Sequence, residues 1–226
     1  MKTPLPPTFR NAPLPVIVAV TAVLLFGGCQ AAYFGALEKM GIPKREVLVE
    51  RVEKARTAQE EAKEQFASAL DKFLAIAKVE PSELKQRYDL LNAELKRNEA
   101  RASEVRARLT GVRDVAEALF DEWTEELKQY SNMDLRTRSA AQLEKTQRNY
   151  KDLMVVMERA SARMEPVLTA FRDQVLFLKH NLNAQAVRSL DATSQTLQAD
   201  IGRLITDMEK SIREADEFIR SLKPME

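Results

Sequence analysis

Residues 143–178 read LEKTQRNYKDLMVVMERASARMEPVLTAFRDQVLFL. Leu143, Tyr150, Met157, Met164, Phe171 and Leu178 recur in this stretch at strict seven-residue intervals. A second, more mixed row follows three places later: Thr146, Leu153, Ala160, Val167 and Gln174. A half-buried strand would alternate with period two, whereas a seven-residue apolar repeat belongs to helices that wind around one another with a left-handed twist. The stretch therefore predicts one long helix, segment C, that buries a stripe against other helices. Pro166 lies inside it, removes one backbone hydrogen bond, and is expected to bend it. Asn181 and Asn183 mark the next turn.

The same spacing extends outward on both sides. Segment D carries Val187, Leu190, Ser194, Leu197, Ile201, Leu204, Met208, Ser211, Ala215, Phe218 and Leu222, and Pro224 closes it. Segment B carries Leu84, Tyr88, Leu91, Leu95, Asn98, Ala102, Val105, Leu109, Val112, Ala116, Leu119, Trp123, Glu126 and Tyr130. It stops at Ser131 and Asn132, which suit a helix cap. Segment A carries Leu48, Val52, Ala55, Gln59, Ala62, Phe66, Ala69, Phe73 and Ile76, and ends at Pro81. Glu80, Pro81, Ser82 and Glu83 read as the start of the next helix. Gln59 and Asn98 are polar residues on apolar seams, the kind that fixes register, and an antiparallel A–B pair sets them close enough to touch.

Short connections make sequential helices antiparallel neighbours. The fold expected is all-α: an elongated up-down-up-down four-helix bundle with coiled-coil-like packing over residues 44–226, although two extended hairpins would satisfy the same seams. Segments B and C outrun A and D by some ten residues, at about 1.5 Å each. If A and B share the turn at Pro81, that surplus falls where A begins, with Phe120, Trp123 and Tyr130 near it.

Composition agrees with long helices. The chain of 226 residues has only 6 glycines and is 31% charged, and its 35 basic and 34 acidic residues leave a formal charge of +1. Such a balance gives no reason to expect nucleic acid as a partner. One cysteine excludes a disulfide scaffold.

That cysteine decides the reading of residues 1–28. Lys2 and Arg10 precede the apolar run VIVAVTAVLLF at 16–26, with no acid before it. Eleven apolar residues are too few to span a bilayer and fit a secretory signal peptide. Leu25, Phe26, Gly27, Gly28 and Cys29 then resemble a bacterial lipobox, with Phe26 departing from the usual leucine. The resemblance implies cleavage behind Gly28 and acylation of Cys29. Gln30 stands where inner-membrane retention signals resemble an aspartate, which points to the outer membrane. Residues 29–43 form a short, largely apolar linker broken by Gly41 and Pro43. Its Tyr33 to Met40 stretch is suited to lie at lipid headgroups or to cover the B–C surplus.

No reactive constellation accompanies this anchor. His180 is the only histidine, and the Glu-x-x-His pattern of metal sites in bundles does not occur. No nucleophile elbow or phosphate loop is present. Neither a catalytic residue, a metal nor a cofactor is expected. The acidic Glu60, Glu61, Glu64, Glu125 and Glu126 lie among Lys54, Arg56, Lys63 and Lys128, and the basic Arg97, Arg101, Arg106, Arg108 and Arg113 among Glu94, Glu99, Glu104 and Asp114. Both sets read as solvated, ion-paired faces. Met154, Met157, Met164 and Met208 read as core filling.

Two stretches carry a family resemblance. Cys29-Gln30-Ala31-Ala32-Tyr33-Phe34, Glu38-Lys39-Met40-Gly41 and Lys44-Arg45-Glu46-Val47-Leu48-Val49-Glu50-Arg51-Val52 form the first, and the sequence from Phe171 to Ala184 the second. They resemble an uncharacterised, mainly proteobacterial family of unknown function whose members often carry a lipoprotein signal. The resemblance implies an anchored helical body and brings no activity or catalytic residue. The function expected is that of a non-enzymatic periplasmic lipoprotein, a rod that meets other envelope proteins. Binding of a lipid or amphiphile between the helices is the alternative, and self-association into a homo-oligomer a third reading.

Overall fold

The computed structural model describes residues 41–76, 84–181 and 184–223, with side chains for all of these except 76, 84 and 184–193. The chain divides into two compact units, Met1–Lys44 and Arg45–Glu226. Among the described residues there are four α-helices and no strand. α1 is Lys44–Ile76, α2 Leu84–Glu126, α3 Met133–His180 and α4 Ala184–Leu222, with a 3-10 turn at Leu127–Gln129 after α2. Gly41 precedes α1 with φ +76°, a conformation open to glycine at no steric cost.

The second unit is an antiparallel four-helix bundle. Contacts from α1 to each other helix close it and exclude separate hairpins. Arg101 of α2 reaches Glu61 at 2.5 Å, Arg56 donates to Asp216 of α4 at 3.1 Å, and the rings of Phe73 and Phe171 of α3 meet edge to face at 5.8 Å. Gln59 of α1 donates to the backbone carbonyl of Met157 on α3. Gln59 to Met157 and Phe73 to Phe171 span the same chain separation, so diagonally opposed helices keep one register over two heptads. Constant register over heptads is the property of 3.5-residue packing.

The expected seams are the core. Leu48, Val52, Ala55, Ala62, Phe66, Ala69 and Phe73 of α1 are buried, as is Gln59. In α3 both rows are buried except Tyr150 and Gln174, which are half-buried. A third row joins them: Met154, Ser161, Leu168 and Val175 on α3, with Ile212 and Ile219 on α4. A helix facing two neighbours and a diagonal needs this wider stripe, three positions in seven. Burying each large side chain contributes about 1.5–3 kcal/mol.

Four expectations are corrected or refined. Segment B does not stay α-helical to Tyr130; it tightens into the 3-10 turn, and Glu126 and Tyr130 are exposed. α2 and α3 here run past the start of α1 and the end of α4, so no core exists to bury them. Arg45 of α1 stacks over Trp123 at 5.5 Å and Lys223 reaches Glu53 at 3.5 Å, which places the surplus at the end where α1 begins. α3 continues through Pro166 to His180. The proline ring leaves the Ala162 carbonyl without the usual i+4 donor. Gln59 and Asn98 do not bond each other. Asn98 donates to the Glu94 carbonyl at 3.0 Å, while the Oε1 of Gln59 accepts from Ser211 at 2.7 Å. The turn at 80–83, Asn183, Val187, Leu190 and Pro224 lie outside what is described.

Asn132 caps α3 as its sequence suggests, its Oδ1 accepting from the backbone N–H groups of Asp134 and Leu135. Asn181 closes the far end, its amide donating to the Phe177 carbonyl at 2.9 Å.

The Gln59–Ser211 bond is buried on both sides, so removing either partner strands the other. Gln59→Leu and Ser211→Ala should each destabilise the bundle by about 1–3 kcal/mol. The double variant should lose less than the sum by about 0.5–1.5 kcal/mol, read from urea unfolding. A coupling of zero would show that the two side chains do not share a bond in solution.

Candidate functional site

Cys29, Gly28 and Gln30, the residues assigned to acylation, cleavage and sorting, lie outside the described residues, as does the stretch Tyr33 to Met40. No described helix is long and apolar enough to cross a membrane. His180 is exposed in the last turn of α3. Among the described residues no three His, Cys, Asp or Glu side chains are grouped to hold a metal.

Five of the six arginines of α2, those from Arg97 to Arg113, pair with carboxylates. Arg97 bonds Glu94, Arg101 bonds Glu61 and Glu104, and Arg108 bonds Glu104 at 3.2 Å. Arg113 meets Glu158 at 2.9 Å and Arg106 meets Glu165 at 3.7 Å, both across to α3. A third cross-pair, Arg172 with Glu99 at 2.7 Å, has its charges reversed. These three rungs step by seven residues along each helix.

Between the first two rungs lies a surface groove of about 590 Å³, floored by Leu109, Ser161 and Ala162. It is open to solvent and shallow, because small residues rather than a missing helix create it. Met154, Met157, Met164 and Met208 are all buried in the core.

The most unusual ionisable group is Glu94. Sequence reading placed it on the solvated face, yet its side chain is fully buried. It sits three residues after buried Leu91, which puts it on the apolar stripe at the i+3 position; following the i+4 step to Leu95 hides this. Burial disfavours its charge, but hydrogen bonds from Arg97, from Lys72 across on α1, and from Gln65 at 2.7 Å outweigh that and hold the carboxyl down at about 2. Both cations keep half of their surface in water. The cluster therefore fastens α1 to α2 and has no proton to exchange near neutral pH.

A carboxyl at about 2 in the fold and at 4.5 when unfolded adds stability that is complete above pH 4.5 and is lost as the pH falls towards 2. The amount is about 3 kcal/mol. Urea unfolding between pH 5 and about 2 should show this loss, and Glu94→Gln should reduce it. At neutral pH the double variant Lys72→Met/Arg97→Met should cost about 3–5 kcal/mol, because it leaves a charge buried without a counter-ion. Glu94→Gln should cost less, since the freed cations rehydrate. Equal losses would contradict the assignment.

No curated protein matches the chain in sequence. The sequence profile of one family, described as a protein of unknown function (DUF2959), matches residues 33–222, which takes in the whole bundle from the start of α1 to the end of α4. The chain belongs to this family of unknown function.

Proposed function

We propose that the protein is a non-enzymatic bacterial envelope lipoprotein, held by acyl chains on Cys29 and displaying its four-helix bundle in the periplasm as a stiff platform for other envelope proteins. The observation that carries this reading is the order of features in residues 2–29: two basic residues, an eleven-residue run apolar but for Thr21, two glycines and the sole cysteine. Two or three acyl chains give lasting attachment where one does not, at about 0.8 kcal/mol per buried methylene. Gln30, rather than an aspartate, favours the outer membrane.

The bundle supports the platform part of the reading. Its apolar seams are consumed internally, and its charged faces are laced by pairs within and between helices, which stiffens the body and offers a polar exterior.

In cells supplied with labelled fatty acid, the native chain should take up label, and its mass should show an N-terminus at Cys29. Cys29→Ser should take up none and should keep residues 1–28. Continued labelling of that variant would overturn the anchor. Gln30→Asp should move the native protein from the outer-membrane to the inner-membrane fraction; an unchanged distribution would remove the sorting role of that position. Crosslinking in cells, followed by identification of the captured proteins, tests the platform.

A further inference from the structure

The end of the second unit at which α1 begins carries an exposed apolar tip. Tyr130 follows the 3-10 turn, and Met133 and Leu135 open α3; they are 39, 65 and 50% exposed. α1 and α4 do not reach this level, and Trp123, bonded to Ser139 at 2.8 Å and covered by Arg45, is the last large ring tied into the bundle. Arg136 and Arg138 stand three residues after Met133 and Leu135, each on the same helix face as the apolar residue before it. Both are exposed, and neither has a carboxylate partner among the described residues. This sets them apart from the five paired arginines of α2. Across 125–138 three cations, Lys128, Arg136 and Arg138, balance three anions, Glu125, Glu126 and Asp134; Lys128 is paired with Glu125, so the cations without a partner are the two on α3 beside Met133 and Leu135.

We infer that this tip docks on the surface of an anionic lipid bilayer, with Tyr130, Met133 and Leu135 entering the headgroup layer and Arg136 and Arg138 meeting lipid phosphates. A tyrosine beside aliphatic side chains and unpaired arginines matches an interface that is apolar on one side and negatively charged on the other. Reach agrees with it, and here the inference rests on the anchor at Cys29. Sixteen residues separate Cys29 from Arg45 and span at most about 55 Å. The tip lies at the Arg45 end, whereas the opposite end is a further 33-residue helix away, about 50 Å. Exposed Leu90, Leu176 and Phe177 belong to that far end.

Trp123 is the only tryptophan, so a single reporter can be moved. The full-length lipidated protein is purified as Trp123→Phe/Met133→Trp, and in parallel as Trp123→Phe/Asp89→Trp, which reports from the far end. Both are placed in vesicles of phosphatidylcholine and phosphatidylglycerol carrying brominated acyl chains. Circular dichroism establishes that both fold, and mass spectrometry establishes acylation of Cys29. The tip reporter should be quenched several-fold more than the distal one, and Arg136→Glu/Arg138→Glu should bring it down to the distal level. Equal quenching of the two reporters in acylated protein would overturn the docking while leaving the anchor intact. A blue-shifted but unquenched tip reporter would also overturn it, because the chain's own apolar linker, or a second copy of the chain, would then be the cover. A bare Cys29 overturns the anchor; arginine-dependent quenching that persists in that material upholds the tip by itself, and its absence removes both.

Discussion

Four helices of unequal length share one core only if each returns the same face to its neighbours at a fixed interval, and that interval here is seven residues. An undistorted α-helix drifts by about 20° per heptad, so a strict repeat is kept by winding the helices around each other. The cost is small and the gain is a continuous core: Gln59 faces Met157 and, two heptads on, Phe73 faces Phe171. Had the repeat slipped by one residue in any helix, its large side chains would turn towards solvent over the rest of its length.

Periodicity alone does not choose among registers that differ by a whole heptad, since apolar side chains tolerate such slips. Polar groups make the choice. Along α2 and α3 the rungs are Arg113–Glu158, Arg106–Glu165 and Glu99–Arg172. A slip of seven residues one way sets Arg106 against Arg172, and the other way sets Glu99 against Glu165. Each pair is about half exposed and adds at most about 1 kcal/mol of stability. Their effect lies in penalising the wrong alignments. Gln59 acts in the same sense from inside, because only one arrangement gives its amide both the Met157 carbonyl and the Ser211 hydroxyl. Glu94 adds a third constraint, since a carboxylate fully withdrawn from water tolerates no alignment that parts it from Lys72 and Arg97.

The sequence made the stripes legible because burial acts on every turn of a helix and leaves a repeated mark. It made the bundle's length mismatch legible for the same reason. The third row on α3 was harder to see: Ser161 interrupts it, and Met154 and Leu168 stand beside stronger seam positions. Glu94 was hidden because a carboxylate next to arginines reads as surface, and only the i+3 step from Leu91 gives it away. The expected Gln59–Asn98 contact failed for a geometric reason. Both lie on seams at similar depth, but Gln59 is aimed across the core at α3 and α4 while Asn98 turns back to its own helix. Cys29 and its neighbours are the opposite case, where residue order speaks and the described structure begins later.

The bundle's own packing engages the residues up to Trp123 and stops there. Trp123 closes the bundle's end: its indole N–H is held by Ser139 and its ring lies under the Arg45 guanidinium, so its apolar surface is covered and its polar edge satisfied. Beyond it two helices continue without their two partners, and a hairpin with no third element gains little from apolar side chains. Stability alone would favour polar residues throughout this turn. Asn132 fits that expectation and caps α3, but Tyr130, Met133 and Leu135 do not, since much of their apolar surface stays in water. Exposed apolar residues gathered at one place, where the core cannot use them, mark a surface shaped by something outside the bundle.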